Sequence, residues 1–564
     1  MGEPAIICGY RHPSGRGGED EPLCHPVTAS DNDLGNRIMA EFKAPVEDIL
    51  ALHVLLSAGW SDTGFDAETA ATVISEFARF AEQQIAPLNT IGDSTACQLT
   101  DTGVKMPASF RPVFDMLAAG GWQGLGAAEC YGGMGLDKIT AAGVSEIFSG
   151  ACHALQMVCN LVPGAIDILE HYGTDAQKQR LIPPLAEGRW LSTMCLTEPD
   201  AGSDLSAIRC IAEQVDDIWQ ITGEKIFISG GDQDLSGSIL HFVLARTQDG
   251  AQGLSGLSLF AVPKHRNGQP NHIEILRIED KLGIHASPTC HMRFERAQAE
   301  LIGAEGDGLK VMFTLMNHAR IDVALQGVAH AQHAHALSAD YAAGRIQGRN
   351  KDRQPAYLDQ HADIGRMLNQ QRILALGGRA MCYYTLGLLE QKHNPELVEF
   401  LTPLCKVFCS EAGIYSADLG IQVFGGYGYL KDYGIEQLWR DARITAIYEG
   451  ANGIHGRAMV TRNLRLAQGR AADDFAELLD MLCADTPHLL SRAKRWREVR
   501  RMIDACETPE RYGHDFTRLS AYLFVHGLCH YLSSEPGGDA LFTPALLQTL
   551  DTMPWPVRAD WLAG

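Results

Sequence analysis

Long apolar runs are missing from this sequence: no stretch reaches the roughly 18 uninterrupted apolar residues that span a bilayer. The nearest approach, AYLFVHGLCHYL at 521–532, is short and carries two histidines. Basic residues are scarce too, with 47 Lys and Arg against 69 Asp and Glu and a formal charge of −22. That deficit argues against sequence-independent nucleic-acid binding, which depends on neutralising phosphates. The 15 cysteines show no repeated CxxC and no compact framework. With no secretory signal either, reduced thiols in a cytoplasmic setting are expected. Cys405 and Cys409, four apart on one helix face, read as core thiols. No repeat of 20–50 residues appears. GxGxxG, P-loop and HExxH motifs are absent where context would support them, which leaves no sign of a nicotinamide Rossmann domain or a zinc protease. His330, His333 and His335 are close in sequence, but His333 and His335 point to different helix faces. A solvated face is expected there rather than a metal site, and no metal is assigned.

What is present is long enough for several hydrophobic cores, at 564 residues. Residues 1–38 are rich in Gly, Pro and charge without a sustained period, and are expected to be a disordered leader. Met39 then opens MAEFKAP, a reasonable start for a folded unit. Residues 39–190 read as helical. EDILALHVLL and TAATVISEFARFAEQQIAPL space apolar residues by three and four, the second run ending at Pro87. A helix follows between Gly173 and Pro183. Between 191 and 303 the period changes to five or six short strands, a small sheet or barrel. Helical period returns over 304–466 as a bundle, and 467–564 reads as a helical appendix. The chain is thus expected to be α+β, multi-domain and mostly α.

Three segments carry candidate chemistry. LTEPDAGSD (196–204) is a loop dense in hydroxyls, acids and glycine. FISGG (227–231) ends a strand with an aromatic, a hydroxyl and two glycines. Such loops suit a planar polar ring, although each alone also fits an ordinary hairpin or cap. AIYEGANGIHG (446–456) sets a carboxylate, Glu449, between a tyrosine and a glycine, either an exposed helix end or a base tuned by desolvation.

Taken in order, LTEPDAGSD, GEKIFISGG, KLGIHASPT, QVFGGYGYL and RDARITAIYEG closely resemble the signature segments of the flavin-dependent acyl-CoA dehydrogenase family, over about residues 110–465. FKAPVEDI, GIHASPTC, FTLMNHARI and the C-terminal segment extend the likeness toward a longer branch. That branch includes bacterial 3-methylmercaptopropionyl-CoA dehydrogenases and related fatty acyl-CoA dehydrogenases. The resemblance implies a helical domain, a β-barrel-like middle domain and a four-helix bundle, with FAD between the last two.

It also implies roles, position by position. Met194, Leu196 and Thr197 match the strand beside the isoalloxazine, with the Thr197 hydroxyl at its polar edge. Ser203 matches a position reaching the phosphate side of the ligands. Phe227 stands where the family often has tryptophan, and Ser229 where it often has threonine, so an aromatic wall and a hydroxyl donor are kept. Arg345, Gln422, Gly425 and Gly426 match residues that embrace the FAD of a neighbouring subunit, which implies a homodimer or homotetramer. Arg320 matches an arginine beside the substrate pocket; read by itself it suits a surface salt bridge equally well. Glu449 matches the catalytic base, and Gly450 lets the backbone approach the thioester. Ala451 and Gly453 depart from the threonine and glutamine common there, and Met194 from an aromatic. The implied reaction is α,β-dehydrogenation of an acyl-CoA to the trans-2-enoyl-CoA, with electrons passing to an electron-transfer flavoprotein. The alternatives are an acyl-CoA oxidase using oxygen and a non-catalytic scaffold that kept the fold.

Overall fold

The computed structural model describes residues 42–60, 63–247, 253–554, 558 and 561, so the leader expected at 1–38 lies outside the described residues. The first layer is helical: α1 (Val46–Ser57), α2 (Ala67–Phe80), α3 (Pro87–Ser94), a hairpin of β1 (Gln98–Thr100) and β2 (Gly103–Lys105), then α4 (Phe110–Ala119), α5 (Lys138–Cys159), α6 (Leu161–Tyr172) and α7 (Asp175–Ala186). Their starts follow from capping. Asp66 and Asp137 accept backbone N–H bonds from Thr69 and Thr140, and Thr174 with Gln177 forms a reciprocal capping box.

Two proline expectations are corrected here. Pro87 does not end the helical run; a π turn at Ala81–Ile85 follows α2, and Pro87 is the first residue of α3. At that position the missing N–H has no intrahelical role to lose. Nor does Pro183 stop its helix: α7 runs through Pro183 and Pro184, its buried Leu181, Ile182 and Leu185 packing on the core. That packing offsets a proline penalty of about 3 kcal/mol.

The middle layer comprises β3 (Trp190–Cys195), β4 (Ile211–Val215), β5 (Ile218–Ser229), β6 (Ser238–Thr247), β7 (Leu257–Pro263), the short pair β8 (His265–Arg266) and β9 (Gln269–Pro270), β10 (Ile273–Ile278) and β11 (Thr289–Ile302). Seven of these form one sheet in the order β10-β11-β5-β4-β6-β3, and β7 bridges β11 and β6. The strands β11, β5, β4, β6 and β7 therefore close into a ring, as the strand-rich stretch predicted. β6 pairs parallel to β3 and β4, and the other pairings are antiparallel.

The third layer is a bundle of long helices. α8 (Gly308–Gly344) is followed by β12 (Ile346–Arg349) and β13 (Pro355–Tyr357), then α9 (Ala362–Gln391), α10 (Pro395–Phe424), α11 (Ile435–Ala442) and α12 (Asn452–Thr461). The appendix adds α13 (Arg470–Leu482), α14 (Pro487–Asp504), α15 (Gly513–Ser534), α16 (Gly538–Leu541) and α17 (Pro544–Thr552). One apolar core runs from the first helices through sheet and bundle into the appendix. A second, smaller core lies at the far end of the bundle around Leu337, Tyr341, Phe424 and Ile435.

α8 packs against α5, α9 and α10. The histidine expectation fails for that reason: His330 is buried, and His333 sits edge-on to Phe42 at 5.2 Å. Burial keeps His333 and His335 neutral, pulling both down to about 4. Among the described residues no single helix is long and apolar enough to cross a membrane; α5 with α6 passes by length and composition only as a pair bent by 46°.

Candidate active site

Glu449 lies in the turn between a 3₁₀ segment, Arg443–Ala446, and α12. Its φ is +52° and that of Gly450 +90°, two successive left-handed residues that reverse the chain. For a non-glycine residue this costs about 1–2 kcal/mol, so the surroundings must hold it. They do. Lys406 Nζ, from α10, donates to Gly450 O and to Asn452 Oδ1, each at 2.8 Å. His455 Nε2 lies 3.1 Å from Glu449 O. A side chain at 450 would fail on a second count, because its Cβ would lie 2.9 Å from His455 Nε2.

Burial raises the Glu449 carboxyl to about 7, against the opposing pull of the Arg320 and Lys406 charges and with a further push from Asp322. Burial likewise draws Lys406 down to about 7, with Glu449 opposing. Arg320, on α8, is held below its usual value by desolvation, again opposed by Glu449. A carboxylate and two cations thus share one poorly solvated space and tune one another. Behind them, Asp322 accepts from Gln156 at 2.9 Å, Asn160 at 3.1 Å and Gln326 at 3.2 Å, and from the Ser145 hydroxyl. Tyr448 donates its hydroxyl to Gln326, and its oxygen lies 3.2 Å from His153, whose other nitrogen lies 2.9 Å from His330.

The sheet supplies the second wall. Met194 belongs to β3, and Leu196 and Thr197 follow it directly. Ile226 N donates to Thr197 O at 2.9 Å, laying that loop along β5. Cys290 pairs with Ile228 and Met292 with Lys225, so Ile226 and Phe227 together oppose one residue, His291. The bulge gives Phe227 a φ of +58° and turns its ring outward, 61% exposed. Ser229 ends β5 opposite Thr289. Ser203 lies exposed on the loop after β3. The neighbouring Asp204 is held below the usual carboxylate range by Ser206 hydrogen bonds, with a contribution from Arg457 of α12. The loop therefore flanks the helix that follows Glu449.

Arg345, Gln422, Gly425 and Gly426 form a separate group. Arg345 lies just past α8, with its guanidinium 5.5 Å from the centroid of the Tyr427 ring. Gln422, Gly425 and Gly426 are exposed, and a Cβ on either glycine would meet nothing within 4 Å. Arg320 and Arg345 are separated by about 37 Å at 1.5 Å rise per residue.

Three family models match this architecture: acyl-CoA dehydrogenase N-terminal domain over residues 67–189, middle domain over 193–297 and C-terminal domain over 306–464. The chain belongs to the acyl-CoA dehydrogenase family. It is 40% identical over 464 residues to the 3-methylmercaptopropionyl-CoA dehydrogenase of Ruegeria pomeroyi, spanning 78% of this chain and 79% of that one. The fold matches Caenorhabditis elegans ACDH-11 in complex with C11-CoA, with a TM-score of 0.74 at 20% identity over 92% of this chain and 93% of that. It also matches the FAD complex of the Bacillus anthracis acyl-CoA dehydrogenase, with a TM-score of 0.72 at 22% identity over 86% and 87%.

For an acyl-CoA dehydrogenase, sequence reasoning missed the bracing of these loops. Lys225 and Glu198 are buried and paired at 2.8 Å. Lys225 Nζ also donates to Leu196 O at 2.9 Å and Leu244 O at 2.7 Å, while Glu198 accepts from Arg209 N and Cys210 N. Both residues stand inside quoted motifs, TEP and GEK, and their opposite charges were the available signal. Lys406 was missed as well, a lysine within the otherwise apolar run LTPLCKVF. The residues present fit a flavin: an outward aromatic on a strained strand, hydroxyls beside it, and an open glycine surface at the bundle's far end.

Proposed function

We propose that this chain removes two hydrogens across Cα–Cβ of an acyl-CoA thioester, with FAD as cofactor and Glu449 as base, yielding the trans-2-enoyl-CoA. The observation that carries the reading is the Glu449 carboxyl, raised to about 7 by burial in a left-handed turn against Gly450. A thioester α-proton is weakly acidic, so its base must be close, poorly solvated and matched to working pH. FAD, when bound, supplies the acceptor for the Cβ hydride and a ribityl hydroxyl donor. The chain does the rest. Glu449 takes the α-proton, its backbone N–H donates to the developing enolate oxygen, and Gly450 leaves room for the thioester. Arg320 and Lys406 keep the carboxylate form populated at neutral pH.

Phe227 would wall the ring, Thr197 and Ser229 would address its polar edge, Met194 and Leu196 would line it, and Ser203 would reach toward phosphate. Arg345, Gln422, Gly425 and Gly426 would serve the FAD of a neighbouring copy, which makes the enzyme a homodimer or homotetramer. The length of α8 supports that division, as does the match of arginine's planar fork to pyrophosphate oxygens. Electrons would leave to an electron-transfer flavoprotein. The changes of structure along the chain support units at 39–190, 191–303, 304–466 and 467–564. Free cysteines throughout the described residues support the cytoplasm.

The test is turnover over a series of acyl-CoA chain lengths, 3-methylthiopropionyl-CoA included, with a ferrocenium acceptor under argon and then in air. Dehydrogenation that needs the added acceptor supports the reading. Stoichiometric hydrogen peroxide in air would make the chain an oxidase. Colourless protein that takes up no FAD and binds no acyl-CoA would make it a scaffold.

A further inference from the structure

The appendix gathers a group of side chains that dehydrogenation does not use. His488 is the second residue of α14, His526 and His530 lie one turn apart on α15, and Asp551 sits in the last turn of α17. His530 Nε2 lies 3.2 Å from both Asp551 oxygens. His488 Nε2 lies 3.6 Å and His526 Nδ1 3.3 Å from Asp551 Oδ1. One ligand atom each from His488, His530 and Asp551 all lie within 4.8 Å of one another. A tetrahedral ion with bonds of about 2.0–2.1 Å holds its ligands roughly 3.3–3.4 Å apart, so the nitrogen-to-oxygen spacings bracket what such an ion needs.

We propose that His488, His530 and Asp551 bind one divalent transition-metal ion that clips α14, α15 and α17 together, with His526 orienting Asp551 from behind. The donor set selects the class. Two imidazoles with a single carboxylate suit Zn²⁺, Co²⁺ or Ni²⁺, whereas Mg²⁺ and Ca²⁺ want mostly oxygen. A purely protonic account is weaker. One carboxylate satisfies one or two imidazolium groups, yet three rings converge on it. His526 is fully buried against the Tyr522 ring at 3.8 Å and packs behind the carboxylate, its Nδ1 3.3 Å from Asp551 Oδ1. His488, 49% exposed, gives the ion a way in from solvent. Because α15 and α17 both pack on α9, the clip would fasten the appendix to the bundle.

The test uses flavin-loaded full-length protein stripped with a chelator and then titrated with ZnCl₂ or CoCl₂. One equivalent per chain is expected to bind with micromolar or tighter affinity. Zn²⁺ should raise the unfolding midpoint, and Co²⁺ should give the intense visible absorption of a four-coordinate site. His488→Ala removes a half-exposed ligand; it should weaken binding at least tenfold while leaving the metal-free midpoint unchanged. Asp551→Asn should weaken binding further, and Cys130→Ser, at an exposed thiol, should change nothing. No saturable binding at micromolar Zn²⁺, or wild-type affinity in both ligand variants, would overturn the proposal. So would a midpoint that rises on acidification without metal, the mark of imidazolium pairing.

Discussion

Gly450 and Gly426 both stand beside a proposed ligand, but the chain's own atoms demand only the first. At Gly450 the φ is +90° and a Cβ would press on His455; at Gly426 a Cβ would meet nothing. Open glycines occur elsewhere on this surface, Gly64 and Gly268 among them, so openness alone decides little. What distinguishes Gly426 is its company: Arg345, Tyr427 and an 87% exposed Tyr429, over a core separate from the main one. One end of the bundle is set by internal packing and desolvation, as acid–base chemistry requires. The other presents open glycines and exposed tyrosines around Arg345.

The sharpest break between the two ends comes from Glu449→Gln. The substitution keeps shape and removes the base, so turnover should fall about 10²- to 10⁴-fold. Flavin absorbance per chain should stay unchanged, because the proposed FAD contacts lie elsewhere. A variant that kept a tenth or more of the wild-type rate would detach the buried carboxyl from the chemistry.

Arg345→Ala is the converse. A charge-assisted hydrogen bond contributes about 1.5–3 kcal/mol, so flavin affinity should drop roughly 10- to 150-fold, with kcat intact once FAD saturates. Measuring FAD release and turnover on the same sample checks both halves. A lower kcat at full flavin occupancy would erase the separation between the ends.

Lys406→Met acts within the chemical end and is subtler. The dehydrogenation rate kcat/KM should fall as pH drops through about 7, where Glu449 gains its proton. The Lys406 ammonium favours the carboxylate form, so its removal should raise the Glu449 pKa and move the acid limb to higher pH. The two groups titrate as a pair, and the limb reports that pair. A profile that keeps its midpoint while losing amplitude would mean Lys406 only holds Gly450 O in place.

Sequence made one of these ends far more legible than the other. Glu449, Gly450 and the residues around them are contiguous, so a motif carries them, and the change from helical to strand period is a local property. The features that escaped depend on partners distant in the chain. His330 meets His153 across 177 positions, which no local face pattern reports. Phe227 points outward because β5 and β11 slip by one residue, a register event that alternation along β5 cannot reveal. Pro183 stays helical because the core beneath it outweighs the lost hydrogen bond. Arg345, Gln422 and Gly426 were legible only through family resemblance, and Gly425 answers a local need as well, its φ of +62° closing α10.

The smallest expected effect tests the assignment of Gly426. In the single chain Gly426→Ala should change stability by no more than about 0.5 kcal/mol, because the added methyl enters open space. Gly450→Ala forces an L-residue to φ +90° and into His455, and should cost several-fold more. Chemical unfolding of the flavin-free protein separates the two. If Gly426→Ala is silent there yet weakens FAD binding, the methyl is excluded by the dinucleotide or by the copy that holds it. If it is silent in both, the open surface is ordinary loop and the partner-facing assignment fails, while Glu449 and its turn stand unaffected.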